Sequence, residues 1–311
     1  MPHPFAILTI ALLLQAAAPV DPGLDVLFAL DQRVATIGYR LATANVDLCE
    51  KRGAQTGLIL HSFGQYGPNA RIALASRFTA GGHPSVQSVV DDGAAQRAGL
   101  MPDDAISAIN GVPTPDQLTG AADYAVVQET EDRLETALNT PPATLSIARK
   151  GQRLTIALTG EAGCASRFQI VPGKKLNASA DGTYVQLTGN AANFAANDDE
   201  LAMLIAHEFA HNVLQHRALL GRIGRTRRNI RETEGDADYW GLYLLVRAGY
   251  NGSEAIKFWD RFERRTNAGF FADGTHLSRK DRIALAATTL AEIKAKQARG
   301  IALIPEKRLP L

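Results

Sequence analysis

The segment from Asn197 to Gly221 constrains the chain most, because it combines helical periodicity with a pair of histidines. His207 and His211 enclose Glu208 in the pattern His-Glu-x-x-His. Residues four apart on an α-helix differ by about 40° around its axis, so both imidazoles can reach one ion. Glu208 lies between them on the helix surface and can hold and deprotonate a metal-bound water. The pattern therefore predicts a catalytic zinc site.

The same segment carries signals for a buried helix. Asn197 and Glu200 have the spacing of a capping box, and Gly221 is a natural C-terminal stop. On one continuous helix His216 lies about 180° from His207 and points away from the metal. The alternative to a metal site is a buried helix whose histidines only form hydrogen bonds. Apolar residues cover much of the helix circumference, at Leu201, Leu204, Ile205, Phe209, Val213 and Leu214.

A third ligand is expected in an acidic segment that opens the next apolar helix. Glu234 and Asp238 are one helical turn apart there and can face the same site. Acids beside Trp240 and its apolar neighbours are costly to bury unless they are paired or bind metal. A metzincin needs glycine and histidine where Leu214 and Arg217 stand. The third ligand is therefore predicted to be a carboxylate, as in His₂Glu zinc sites.

These motifs resemble the HtpX and CAAX-prenyl-protease family of zinc metallopeptidases. The resemblance covers Phe168 to Leu290 and implies an α+β fold with a mainly helical, zincin-type protease domain. Leu277 departs from the family pattern, which usually has proline at this position, and leaves the geometry around His276 open. The matching segments are Asn177–Ala178, Asp199–Ala202, His207–His211, Glu234–Asp238 and Thr275–Ile283.

The family plan implies one Zn²⁺ per chain and assigns roles to individual residues. His276 and Arg282 are further candidates for contacting the oxyanion or the substrate, although Arg282 can also serve only as a salt-bridge partner. The implied site consists of His207, His211 and Glu234 as zinc ligands, Glu208 as general base and Asp238 as an acid that orients a ligand imidazole.

A second unit precedes the protease motifs. A strand pattern at Val86–Val90 is followed by a short helix, a strand that ends in Asn110-Gly111, a helix over Glu131–Leu138 and a hairpin around Lys150-Gly151. This order resembles a bacterial PDZ domain, a small β-rich fold that binds extended peptide ends by adding a strand to its sheet. The alternative is a PDZ-like domain that only packs against its neighbours.

The N-terminus predicts the compartment. A short apolar run over Phe5–Leu14 precedes small residues with a cleavage site near Ala17 or Ala18, as in a signal peptide. The run is short for a membrane span, and an N-terminal membrane anchor is the alternative to secretion or a periplasmic location. The predicted organisation is a signal peptide over 1–18, a helical lead-in over 19–82, the PDZ-like domain over 83–162 and the zinc domain over 163–311.

The chain has two cysteines, and an oxidising compartment favours their pairing. A bridge between Cys49 and Cys164 would fasten both ends of the inserted PDZ-like domain. The alternative is two buried free thiols, since cysteine packs well as a small apolar residue.

Charge limits the partners. A net charge of +1 argues against nucleic acid. The segment Arg217–Arg231 carries six arginines and no acid, so it is a solvated linker, a flap over the zinc, or a peripheral contact for anionic lipid headgroups. The sequence does not determine the oligomeric state.

Taken together, these patterns predict a zinc metalloendopeptidase that hydrolyses peptide bonds of peptides or unfolded proteins in the cell envelope, in protein quality control. One alternative is a peptide-binding PDZ protein with a latent zinc site, and another is a purely structural zinc site. An intact Glu208 argues against both alternatives, because neither needs a general base.

Overall fold

The computed structural model describes residues 22–78, 80–265 and 277–306. Its helices are α1 (Pro22–Ala44), α2 (Pro68–Leu74), α3 (Ala94–Arg97), α4 (Ala125–Leu138), α5 (Gly189–Phe194), α6 (Asp198–Val213), α7 (His216–Ile223), α8 (Arg227–Arg247), α9 (Gly252–Arg265) and α10 (Arg279–Ala298). Its strands are β1 (Arg52–Gln55), β2 (Leu58–His61), β3 (Ser85–Val89), β4 (Ala105–Ile109), β5 (Val112–Pro113), β6 (Ala143–Arg149), β7 (Gln152–Leu158), β8 (Glu161–Cys164), β9 (Arg167–Val171), β10 (Ala178–Ala180) and β11 (Tyr184–Thr188). The predicted α+β class is confirmed.

The predicted PDZ-like segment forms an antiparallel sheet in the order β2-β3-β4-β6-β7, with β5 paired to β4. Lys150 and Gly151 both have positive φ, 48° and 78°, which suits the two-residue turn between β6 and β7. Helix α4 begins at Ala125, before the predicted start at Glu131. The sheet also takes in β2, which lies before residue 83, while the domain boundaries themselves stay a prediction. Its core contains Val86, Ile106, Val127, Leu145 and Leu158.

The second core is mainly helical and surrounds α6, which packs against α1, α8 and α9. Asn45 ties two of these helices together. Its fully buried amide donates to the carbonyls of Leu41 and Leu244 at 2.9 and 3.0 Å, and its oxygen accepts a hydrogen bond from Arg247. Because all these groups are satisfied, the end of α1 is held against the end of α8. The largest buried side chains of this core include Phe209, Tyr239, Tyr243, Phe258 and Trp259.

A three-stranded sheet in the order β10-β11-β9 covers part of this core. Strands β10 and β11 flank a turn at Asp181-Gly182, and the Gly182 N–H donates to the Oδ1 atom of Asn212 near the end of α6 at 2.8 Å. The turn is thereby fixed to the helix that carries the histidine pair.

The predicted disulfide is confirmed: Cys49 and Cys164 are bonded, with 5.5 Å between their Cα atoms. The bridge lies beside the β1–β8 pair, in which Arg52 opposes Cys164. It therefore closes the chain around the whole six-stranded sheet. Within residues 22–78, 80–265 and 277–306, no helix combines the length and the apolar character that a membrane crossing requires.

Candidate metal centre

Three predicted ligands meet where α6 packs against α8. The Nε2 atom of His207 lies 3.3 Å from Glu234 Oε2, and Nε2 of His211 lies 3.6 Å from Glu234 Oε1. One ligand atom from each of the three residues lies within 4.8 Å of the others. Tetrahedral zinc with bonds of about 2.0–2.2 Å spaces its ligand atoms about 3.3–3.6 Å apart. The donor types and the two histidine–glutamate distances therefore suit a zinc ion.

The close approach of the two helices depends on a glycine. A Cβ atom on Gly241 in α8 would lie 3.1 Å from both the N and the Cα atoms of His207 in α6. These neighbours are backbone atoms of a buried helix and cannot move aside independently. Gly241 thus permits the helix separation at which Glu234 reaches the two histidines.

The opposite side of the His207 ring faces a buried ion pair. Its Nδ1 atom lies 2.9 Å from Asp238 Oδ1, and Asp238 Oδ2 accepts a hydrogen bond from Arg282 Nε at 2.8 Å. The guanidinium of Arg282 is fully buried and lies 4.2 Å from the ring centre of Trp259. This chain of contacts fixes the His207 ring with Nε2 toward Glu234.

Charge and burial compete within this chain. Burial by itself raises the pKa of Asp238, but the Arg282 charge and the contact with His207 outweigh it and lower that pKa below its usual value. Burial likewise disfavours charged His207, yet Asp238, Glu234 and Glu208 raise its pKa to about 10. Asp238 is thus held ionised, so it can accept a hydrogen bond from the imidazole.

The structure corrects the predicted orientation of His216. Helix α6 ends at Val213, and Gln215 adopts the left-handed conformation with φ 51° and ψ 36°. This break starts a new helix, α7, at His216, so the prediction of one continuous helix is wrong. Its Nδ1 atom lies 2.9 Å from Nδ1 of His211, and burial lowers the pKa of His216 to about 3, which keeps it neutral.

The other residues predicted for the site are Glu208, Arg282 and His276. Glu208 is buried on α6, with 7% of its surface exposed, and its charge acts on His207. Arg282 forms an ion pair with Asp238 behind His207, which agrees with the alternative that it serves as a salt-bridge partner. His276 lies outside the described residues. Sequence reasoning missed Trp259, whose ring lies 5.5 Å from that of His207, because nothing in its local pattern distinguishes it from other core residues.

The arginine-rich segment follows the site. It comprises α7, a break at Gly224 and the first turn of α8. The carbonyl of Asp181 accepts a hydrogen bond from Arg217 at 3.1 Å, and Arg228 pairs with Glu232 at 3.0 Å. The arginines are all exposed, at Arg217, Arg222, Arg225, Arg227, Arg228 and Arg231. The lipid-contact alternative stays a prediction.

A polar cluster joins the six-stranded sheet unit to the helical core. Glu131 of α4 accepts a hydrogen bond from the Tyr184 hydroxyl at 2.7 Å and lies 3.5 Å from Arg167. Burial raises the pKa of Glu131 to about 7. On α1, Asp31 accepts a hydrogen bond from the backbone N–H of Ile170, and burial raises its pKa too.

No protein-family profile matches the sequence. The chain is similar to the mitochondrial metalloendopeptidase OMA1 of Saccharomyces cerevisiae (strain ATCC 204508 / S288c), with 35% identity over 104 residues. The similarity covers 24% of this chain and 30% of the relative, so it spans less than a third of that protein's length. The resemblance to the HtpX family stays a prediction.

Two solved structures show a likeness to part of the fold. The first is the HtrA3 PDZ domain bound to a phage-derived ligand (FGRWV), with a TM-score of 0.26, 21% identity and coverage of 36% of this chain and 88% of that one. The second is the HtrA-type protease AlgW with a decapeptide, with a TM-score of 0.26, 20% identity and coverage of 36% and 29%.

Proposed function

We propose that this protein is a zinc-dependent metalloendopeptidase that hydrolyses peptide bonds of protein substrates. The observation that carries the proposal is the convergence of His207, His211 and Glu234 at zinc-ligand spacing, with Glu208 on the same helix as the histidines. A structural zinc site usually has four protein ligands, whereas a catalytic site has three and leaves a position for water or substrate. The three ligands that the described residues provide, beside a carboxylate, match the catalytic plan.

Each residue has a separate task in this proposal. When bound, zinc supplies a Lewis acid that polarises the scissile carbonyl and acidifies the attacking water. Glu208 accepts the proton of that water and passes it to the leaving nitrogen. Asp238 holds the His207 ring by accepting from Nδ1–H, and Arg282 keeps Asp238 ionised.

We further propose that β10 aligns the substrate. This strand packs against α6 and lies at the end of its sheet, and no other strand in the described part of the chain pairs with its outer edge. An extended peptide that pairs with a free edge is held through its backbone, so the same site accepts many sequences.

A second peptide contact is proposed at the six-stranded sheet. Its end strand β2 and helix α4 line a cavity of about 120 Å³, which α1 and β9 close on the opposite side. Leu58, Leu134 and Leu138 give the cavity apolar walls, and Glu131 and Arg167 give it polar ones. An extended peptide segment that adds to β2 fits this arrangement. The proposed compartment is the cell envelope, since a bonded Cys49–Cys164 pair persists where the surroundings are oxidising.

The proposal is tested with Glu208→Gln. This variant is expected to bind one zinc per chain as the wild type does, and to lose about 10²–10⁴-fold in the rate of casein cleavage, because the ligands are intact and only the base is removed. The matched control is Glu232→Gln, which alters a carboxylate on α8 that pairs with an exposed arginine. Cleavage by Glu208→Gln at the wild-type rate, or wild-type protein that binds no zinc, contradicts the proposal.

A further inference from the structure

The two proposed histidine ligands have different partners on their far nitrogens. An imidazole that binds a metal through Nε2 carries its proton on Nδ1, and that proton needs an acceptor. For His207 the acceptor is the carboxylate of Asp238 at 2.9 Å. Nδ1 of His211 lies instead 2.9 Å from Nδ1 of His216, a separation that fits an N–H···N hydrogen bond.

The backbone places His216 at this position. Had α6 continued, the side chain of His216 would point away from His211. The left-handed Gln215 separates the two helices, and its side chain donates a hydrogen bond to Glu50 at 2.8 Å. His216 is itself 98% buried, since only 2% of its surface is exposed, and its ring lies nearly perpendicular to that of His211, at 77°. Leu219 and Leu220 anchor α7 in the protein interior.

We propose that His216 is a positioning residue for the metal ligand His211. Its unprotonated Nδ1 accepts the hydrogen bond from Nδ1–H of His211, which directs Nε2 of His211 toward Glu234 and the metal position. A neutral imidazole has one donor and one acceptor, so His216 then carries its own proton on Nε2. This inference rests on the proposed zinc site. It gives the two histidine ligands different hydrogen-bond acceptors, a carboxylate for His207 and a neutral imidazole for His211.

Zinc affinity measured by competition with a chromophoric chelator tests the inference. His216→Phe removes the acceptor while keeping a ring, and it is expected to weaken zinc binding about 10–100-fold, the usual cost of losing such a partner. His216→Gln returns an acceptor oxygen and is expected to recover most of the affinity. His83→Phe is the control, because His83 contacts Thr114 and Asp116 in the sheet unit and not the metal centre.

Two spectroscopic measurements distinguish positioning from a general loss of structure. The visible absorption of the Co²⁺-substituted protein is expected to change in His216→Phe and to return toward the wild-type spectrum in His216→Gln. In zinc-loaded wild type, ¹⁵N chemical shifts are expected to show a proton on Nδ1 of His211 and on Nε2 of His216. The NMR measurement uses no variant, so it holds even where a substitution prevents folding.

The inference is overturned when His216→Phe binds zinc as tightly as wild type with an unchanged Co²⁺ spectrum, or when His216 carries its proton on Nδ1. These results leave the zinc site itself intact. Failure of the wild type to bind zinc is a different outcome, which refutes the proposed function and the inference together.

Discussion

Replacement of Arg282 by methionine is expected to destabilise the protein strongly while leaving the three ligands in place. The Arg282 and Asp238 side chains are 0% and 4% exposed, and they meet at 2.8 Å. Removing one partner of a buried ion pair typically costs about 3–5 kcal/mol; here it leaves the Asp238 carboxylate facing His207 at 2.9 Å without its guanidinium partner. The exposed pair Arg228–Glu232, with side chains 86% and 38% exposed, is a suitable contrast, since such pairs contribute less than about 1 kcal/mol.

The measurement is urea unfolding of the metal-free proteins, monitored by tryptophan fluorescence. Trp259 contributes to this signal from its position against the Arg282 guanidinium. Arg282→Met is expected to lower the free energy of unfolding by about 3–5 kcal/mol, and Arg228→Met by less than about 1 kcal/mol. If the cost comes from the charge left on Asp238, the double variant Arg282→Met/Asp238→Asn should be more stable than Arg282→Met alone. Equal losses for the two arginine variants, or no gain in the double variant, would contradict a cost that comes from the buried charge.

Three further predictions concern parts of the fold that support the site. Because burial raises the pKa of Glu131 from 4.5 to about 7, the folded protein binds more protons than the unfolded chain between these values, and stability should fall by up to about 3 kcal/mol as pH rises through that window. Glu131→Gln should flatten the curve of unfolding free energy against pH, and an unchanged slope would contradict the assignment. Reduction of the Cys49–Cys164 bond, which closes a loop with a sequence separation of 115, should lower the free energy of unfolding by up to about 5 kcal/mol; a serine double variant should not respond to reductant. Gly241→Ala should lower the free energy of unfolding by about 1–3 kcal/mol and weaken zinc binding, because the new Cβ would meet the His207 backbone. Gly221→Ala meets nothing within 4 Å and should be neutral or slightly stabilising, so similar effects of the two variants would argue against the close approach.

Local sequence rules predicted much of the secondary structure. Asn197 caps α6 by accepting from the Glu200 N–H, as its spacing indicates, although the Glu200 side chain reaches the Ala196 N–H and not that of Asn197. Lys150-Gly151 forms the predicted hairpin turn because two consecutive residues with positive φ satisfy the twist of paired strands. These features depend on neighbours within a few residues, which the sequence displays directly.

The relation between His207 and His211 also follows from the sequence, since helix geometry alone places residues four apart on one face. Their meeting with Glu234 was predicted only from a resemblance and from the cost of burying acids. The approach of Glu234 to the histidines depends on the packing of α6 against α8. That packing depends in turn on Gly241, which no local pattern identifies as a contact residue.

The surroundings of the two histidines depend on packing between segments that are distant in sequence. The helical spacing predicts that an acid one turn beyond Glu234 can face the site, but not that a buried Arg282 holds that acid ionised. It also could not show that Gln215 adopts a left-handed conformation, which costs free energy in a non-glycine residue. The Gln215 side chain donates a hydrogen bond to Glu50 in this conformation. This single break in the helix places His216 beside the ring of His211, whereas a continuous helix would carry it to the far side. Sequence spacing predicts which way a side chain points only while the helix continues. Where the helix ends, tertiary packing determines the orientation of the side chain.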